Sequence, residues 1–211
     1  MKFIELFSGI GSFHYSFKKL GFKCVMASDI YGPAKATYER NYDVKVLGDI
    51  RDIKPSNIEQ YDILCAGFPC QPFSQAGHHK GFEDKRGTMF SQVMIFIKAN
   101  IPKIVILENV QALLNHDKGK TFCKIKGDLE KEGYTVVYKV LLCSDYGIPQ
   151  MRKRLFIVGF KNIEVTDLDN FFNLEEYEKK VTLKEYLGKN FIKDAAFTIR
   201  CGGRNSSIND R

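Results

Sequence analysis

Apolar positions along this chain follow two rhythms. Near-continuous apolar runs occupy residues 2–7, 23–28, 45–47, 61–66, 104–107, 134–142 and 155–160, and read as buried strands. Between them, residues 12–20, 33–41, 89–100 and 120–132 read as helices. The punctuation agrees: Gly21 and Gly133 follow two of these helices, and Pro33 suits a first helical turn. Strands alternating with helices predict an α/β fold, Rossmann-like, with a mostly parallel sheet and helices on both faces. Residues 161–193 are polar and irregular, with one short helix expected over 182–187. Residues 195–211 hold Gly202, Gly203, Arg200, Arg204 and Arg211, with little apolar content to close a core.

Composition narrows the classes. The chain has 211 residues, 44% of them hydrophobic, enough for one domain. No run approaches the ~20 apolar residues of a membrane span. The first residues lead directly into a strand, so no signal peptide is expected. Six scattered cysteines predict a reducing, cytoplasmic setting rather than a disulfide framework. Cys65, Cys70 and the doublet His78-His79 lack partners at zinc spacing, so no metal is expected. A net charge of +7 favours a polyanionic partner.

The candidate chemistry lies at strand ends. Gly67-Phe-Pro-Cys-Gln-Pro-Phe-Ser74 sets Cys70 between two prolines just after a buried run, a stiff turn suited to a nucleophilic thiol. Phe7-Ser-Gly-Ile-Gly11 opens a helix with a Gly-x-Gly turn, where backbone can approach a ligand. The dinucleotide fingerprint wants a third glycine where His14 stands. Asp29 ends the second strand, where an acid can bind ribose hydroxyls, and Asp49 follows the third. Together these suit an adenosine-bearing cofactor without a pyrophosphate. Glu108 ends the 104–107 strand, where desolvation would raise its pKa towards that of a general acid. Strand alternation turns Arg152 and Arg154 to one side and Lys153 to the other, two guanidiniums suited to a base carbonyl or a phosphate.

In this order the chain closely resembles the DNA cytosine-5 methyltransferases. The matching pieces are Phe7-Ser-Gly-Ile-Gly11, Asp49-Ile50, Gly67-Phe-Pro-Cys-Gln-Pro-Phe-Ser74, Lys80-Gly-Phe-Glu-Asp-Lys-Arg-Gly-Thr-Met-Phe90, Glu108-Asn-Val110 and Asp145-Tyr-Gly-Ile-Pro-Gln-Met-Arg-Lys-Arg154. The resemblance implies a Rossmann-like S-adenosylmethionine-dependent methyltransferase fold and methylation of a flipped-out cytosine within a restriction-modification system. Cys70 would add as thiolate to carbon 6, and Glu108 would bind the exocyclic amine and protonate N3. Asn109 would brace the cysteine turn, with Arg152 and Arg154 at the O2 side of the base. Phe7, Gly9, Ile10 and Gly11 would carry S-adenosylmethionine. Asp29 and Ile30 would lie at the ribose, Asp49 and Ile50 at the adenine, and Phe68 and Pro69 would form a wall shared with the base. Double-stranded DNA would meet Gln71, Ser74, Lys80 and Arg86, the last three in the 74–88 loop that closes on DNA in the family. Arg200 and Arg204 would meet it from the target-recognition region.

The chain also departs from the family. Asp29-Ile30 stands where the family has Glu and a bulky aromatic. The expected division is a catalytic domain over 1–160 and the start of an incomplete target-recognition region over 161–211. The family's later Arg-rich and Gly-Asn-Ser/Thr-Val motifs are absent. A split enzyme completed by a second subunit, a truncated product and a longer parent chain all fit. Two other readings stand beside the DNA enzyme. One is an RNA cytosine-5 methyltransferase of the same architecture, against which Pro72-Phe73-Ser74 argues. The other is a non-catalytic binding subunit, against which the intact set Cys70, Glu108, Arg152 and Arg154 argues. His14 and the Pro-Cys-Gln turn disfavour a dinucleotide oxidoreductase. The expected location is cytoplasmic or nucleoid-associated.

Overall fold

The computed structural model describes residues 1–69, 89–162, 170–174, 181–187 and 195–197. Along the chain run β1 (Lys2–Leu6), α1 (Ser12–Lys19), β2 (Lys23–Ser28), α2 (Gly32–Asn41), β3 (Val46–Leu47), β4 (Ile63–Ala66), α3 (Met89–Asn100), β5 (Ile104–Val110), α4 (Lys120–Lys131), β6 (Thr135–Leu142), β7 (Gln150–Met151), β8 (Lys153–Phe160), α5 (Leu183–Leu187) and β9 (Ala196–Phe197). Seven strands form one sheet in the order β3-β2-β1-β4-β5-β8-β6, and β7 pairs with β9 apart from it. β1 to β5 are mutually parallel, while β8 runs antiparallel to both its neighbours. The cause is local: only a 3-10 turn, Cys143–Tyr146, and the short β7 separate β6 from β8, and antiparallel strands need no crossover α-helix.

The period-2 alternation of the strands builds two cores, one on each face. On one side Phe3, Cys24, Ala27, Ile63 and Cys65 pack with Tyr38 of α2, and Phe13 and Phe17 of α1 lean on them. On the other, Ile4, Leu6, Leu64, Val105 and Leu107 pack against Val93, Phe96 and Ile97 of α3 and Phe122, Ile125 and Leu129 of α4. Two buried phenols tie connections down: Tyr61 donates to the Phe96 carbonyl at 2.9 Å and Tyr134 to that of Pro102 at 2.7 Å.

The expected elements are present, and two differences matter for the site. β5 continues past Leu107 to Val110 because β8 supplies partners: Glu108 pairs with Phe156, Asn109 with Leu155 and Val110 with Arg154. Glu108 and Asn109 therefore stand on a strand rather than in a cap. Among the described residues five short 3-10 turns, at Ile50–Asp52, Pro55–Asn57, Gln111–Leu114, His116–Gly119 and Cys143–Tyr146, lack the apolar periodicity that would announce them. Among the described residues no helix is long and apolar enough to cross a membrane.

Candidate active site

Parallel register brings four strand ends into one row. Leu6 pairs with Ser28 on one side and Ala66 on the other, and Ala66 pairs with Leu107. The residues that follow, Asp29, Phe7, Gly67 and Glu108, stand side by side along the carboxyl edge. Strand order reverses between the parallel neighbours β1 and β4, the place where open α/β sheets bind ligands.

On the β1 side the backbone forms a cradle. Phe7, Gly9 and Gly11 all have positive φ, of 56°, 54° and 92°. The Gly9 N–H donates to Asp29 Oδ2 and the Tyr31 N–H to Asp29 Oδ1, both at 2.8 Å. Each carboxylate oxygen keeps lone-pair capacity for a ribose hydroxyl. A Cβ at Gly9 would meet nothing within 4 Å, so the backbone there faces open space. Ile10 and Ile30 are 58% and 77% exposed, which leaves apolar surface beside Asp29 for a purine to cover. The donor set fits an adenosine-bearing cofactor.

Two of the residues expected at the cofactor also make contacts within the chain. Asp49 accepts from the Arg51 backbone N–H at 2.9 Å and pairs with its guanidinium, which holds its carboxyl below the usual range. It caps a turn over buried Ile50. Phe68 is buried against Phe90, with ring centroids 5.7 Å apart, so its ring belongs to the core; Pro69 is exposed.

On the β5 side the charges meet. Glu108 Oε1 lies 2.9 Å from Arg154 Nε and 3.4 Å from Arg152 Nη2. Arg154 sits opposite Val110, on the diagonal from Glu108 and on the same face, within reach of a long side chain. Burial, and then the charge of Arg152, lower the Arg154 pKa from its ordinary value, and Glu108 opposes them. The guanidinium stays charged. Sequence alone suggested a desolvated Glu108; the structure gives it two cationic partners instead. Gly67 comes close to the second oxygen, since a Cβ there would stand 3.6 Å from Glu108 Oε2. Asn109 is buried, and its Nδ2 donates to the Phe68 carbonyl at 2.9 Å while its Oδ1 accepts from the Val110 N–H. It thus ties β5 to the segment leading to position 70. Cys70, Gln71, Ser74, Lys80, Arg86, Arg200 and Arg204 lie outside the described residues.

Sequence reasoning missed a buried polar cluster beneath the glycine turn. Glu5, 1% exposed, accepts the Phe13 N–H at 3.3 Å and the Tyr38 hydroxyl at 3.2 Å. Tyr38 Oη also lies 2.7 Å from His14 Nδ1 and 3.6 Å from Cys24 Sγ. The available signal was a carboxylate inside the apolar run 2–7 and two tyrosines, 38 and 42, one helical turn apart. Burial pushes the Glu5 pKa from 4.5 up to about 7; Tyr38 and the α1 backbone pull it back, and Asp29 adds to the rise. The fold therefore binds this proton more tightly than the unfolded chain does. The associated stability is fully present below pH 4.5 and is lost as pH rises through about 7. The loss should total about 3 kcal/mol. Urea unfolding across this window should show the decline in the wild type and a flat profile in Glu5→Gln.

Comparison with known proteins agrees with this geometry. The family described as C-5 cytosine-specific DNA methylase matches residues 1–202. Type II methyltransferase M.HaeII of Haemophilus aegyptius is 50% identical over 159 residues, covering 75% of this chain and 50% of the relative. Type II methyltransferase M.DsaV of Dactylococcopsis salina is 40% identical over 201 residues, covering 94% of this chain and 56% of the relative. Among solved structures, a mutant DNMT2 of Spodoptera frugiperda superposes with a TM-score of 0.64 at 25% identity, covering 78% of this chain and 51% of the other. The chain spans about half the length of the curated relatives it matches.

Proposed function

The chain belongs to the C-5 cytosine-specific DNA methylase family, and from that membership we propose that it carries the catalytic centre of a DNA cytosine-5 methyltransferase of a restriction-modification system. The observation that supports this most is the row Asp29, Phe7, Gly67 and Glu108, with an adenosine-type cradle at one end and Glu108 with two arginines at the other. S-adenosylmethionine, when bound, supplies an electrophilic methyl group. Phe7, Gly9, Ile10 and Gly11 would hold it, with Asp29 on its ribose and Ile30 beside its purine.

Carbon 5 of cytosine is a poor nucleophile until something adds at carbon 6. The Cys70 thiolate would add there, and Glu108 would pass a proton to N3 to relieve the charge this creates. Arg152 and Arg154 would keep Glu108 oriented and stabilise negative charge on the O2 side. After methylation, loss of the carbon-5 proton to water, departure of the Cys70 sulfur as thiolate and return of the N3 proton to Glu108 would restore the ring. None of these groups reaches a stacked base, so the cytosine must be extruded. We assign catalysis to residues 1–160 and the start of target recognition to 161–211. On this reading the protein works on double-stranded DNA in the cytoplasm or at the nucleoid.

The test is transfer of a labelled methyl group from S-adenosylmethionine to duplex DNA and to RNA, by the chain alone and with any co-encoded polypeptide. Label on DNA cytosine is expected. Label confined to RNA would replace this reading with the RNA enzyme, and activity only with the added polypeptide would establish the second subunit.

A further inference from the structure

The glycine turn is gripped from below by Tyr38 of α2 and by Tyr42, which follows it. Gly11 is the N-cap of α1 and offers no side-chain cap. The missing cap comes from the neighbouring strand, as Glu5 accepts the Phe13 N–H. Glu5 is held in turn by α2, through the Tyr38 hydroxyl. With the hydroxyl hydrogen directed at Glu5, the phenol oxygen accepts from His14 in its Nδ1–H tautomer at 2.7 Å. At the residue that follows α2, the Tyr42 hydroxyl donates to the Gly11 carbonyl at 3.0 Å, and its ring stacks on His14 at 3.9 Å. The two rings also fill the space under Gly11: a Cβ there would stand 2.4 Å from Tyr42 Cε2 and 2.9 Å from Tyr38 Cδ2.

We propose that Tyr38 is a positioning residue for cofactor binding: from α2, fully buried, it fixes the conformation in which the glycine turn receives S-adenosylmethionine. The inference rests on the cofactor reading above and extends it to a helix with no cofactor contact of its own. A segment with glycines at 9 and 11 has wide backbone freedom when nothing restrains it. Freedom removed in advance is not lost on binding, so a restrained turn binds more tightly without any new contact. The Tyr38 hydroxyl is the shared member of the chain from Glu5 to His14, so removing it loosens α1's first turn and its neighbour together. His14, which replaces the third glycine of a dinucleotide fingerprint, links the two tyrosines to the turn.

The test compares Tyr38→Phe with Tyr61→Phe, which deletes another buried hydroxyl, bonded to the Phe96 carbonyl in the opposite core. Two quantities are read for each: the Kd for S-adenosylhomocysteine by calorimetry, and hydrogen exchange at the amides of residues 11–14 in the free protein. Tyr38→Phe should weaken the Kd about tenfold, the equivalent of one hydrogen bond, and speed exchange at those amides. Tyr42→Phe should move both in the same direction, and Tyr61→Phe neither. At saturating cofactor, Tyr38→Phe should leave kcat unchanged while KM for S-adenosylmethionine rises. An unchanged Kd in Tyr38→Phe, or an equal loss in Tyr61→Phe, would overturn the positioning role. Failure of the wild type itself to bind the nucleoside would overturn the cofactor reading and the inference with it.

Discussion

Cys70→Ser should lose methyl transfer by on the order of 10⁴-fold or more, the scale seen when a covalent nucleophile is removed. Serine keeps the size and the oxygen keeps a lone pair, but a hydroxyl is scarcely ionised near neutrality, whereas a thiol beside cationic groups is. The two arginines gather on Glu108 of β5, the strand paired with β4, which leads into the Pro-Cys-Gln segment. The cofactor cradle lies on β1 and β2, so binding of S-adenosylhomocysteine should not change. Tritium transfer to duplex DNA, with the nucleoside's Kd measured in parallel, checks both halves. Retained transfer would remove the covalent route; a lost Kd would mean that the variant perturbs the fold.

Glu108→Gln should lower the rate by about 10²–10⁴-fold, the range for removal of a general acid. The amide can still accept a hydrogen bond from the cytosine amine, so DNA affinity should fall much less than the rate. It cannot supply a proton to N3, and it leaves Arg152 and Arg154 without a counter-charge. The ion pairs are partly solvated, with Glu108 side-chain exposure at 24%, so the stability change should stay below about 1 kcal/mol. Single-turnover methylation at saturating DNA, with thermal unfolding alongside, separates chemistry from folding. A variant as fast as the wild type would deny Glu108 its acid role.

The parts that were legible in the sequence share a cause. A buried strand is an apolar run and a helix stop is a glycine, so β1, β2, α1 and α4 could be read from the chain itself. The facing of Arg152 and Arg154 followed from strand alternation, and both side chains do reach Glu108. Long-range pairing was not legible. Nothing in residues 104–110 says that β8 will run antiparallel beside them, yet that pairing puts Glu108 and Asn109 on a strand. Asn109 could be suspected of bracing the cysteine turn only through resemblance; its bond to the Phe68 carbonyl spans 41 residues of sequence. At Asp49 the sequence reading did not foresee that an arginine two residues on would bond the carboxylate. Glu5 was passed over because an acid in an apolar run reads as an interruption. Only the arrival of Tyr38 from α2 shows what satisfies it.

The measurement that bears most directly on the central claim is covalent trapping on duplex DNA containing 5-fluorocytosine, with S-adenosylmethionine and any co-encoded polypeptide present. Fluorine occupies the place of the proton that must leave, so the enzyme should halt with its sulfur still bonded to carbon 6. Digestion and mass analysis should find the modified base on the peptide bearing Cys70, and no adduct in Cys70→Ser. An adduct on another residue, or one that persists in Cys70→Ser, would contradict the account.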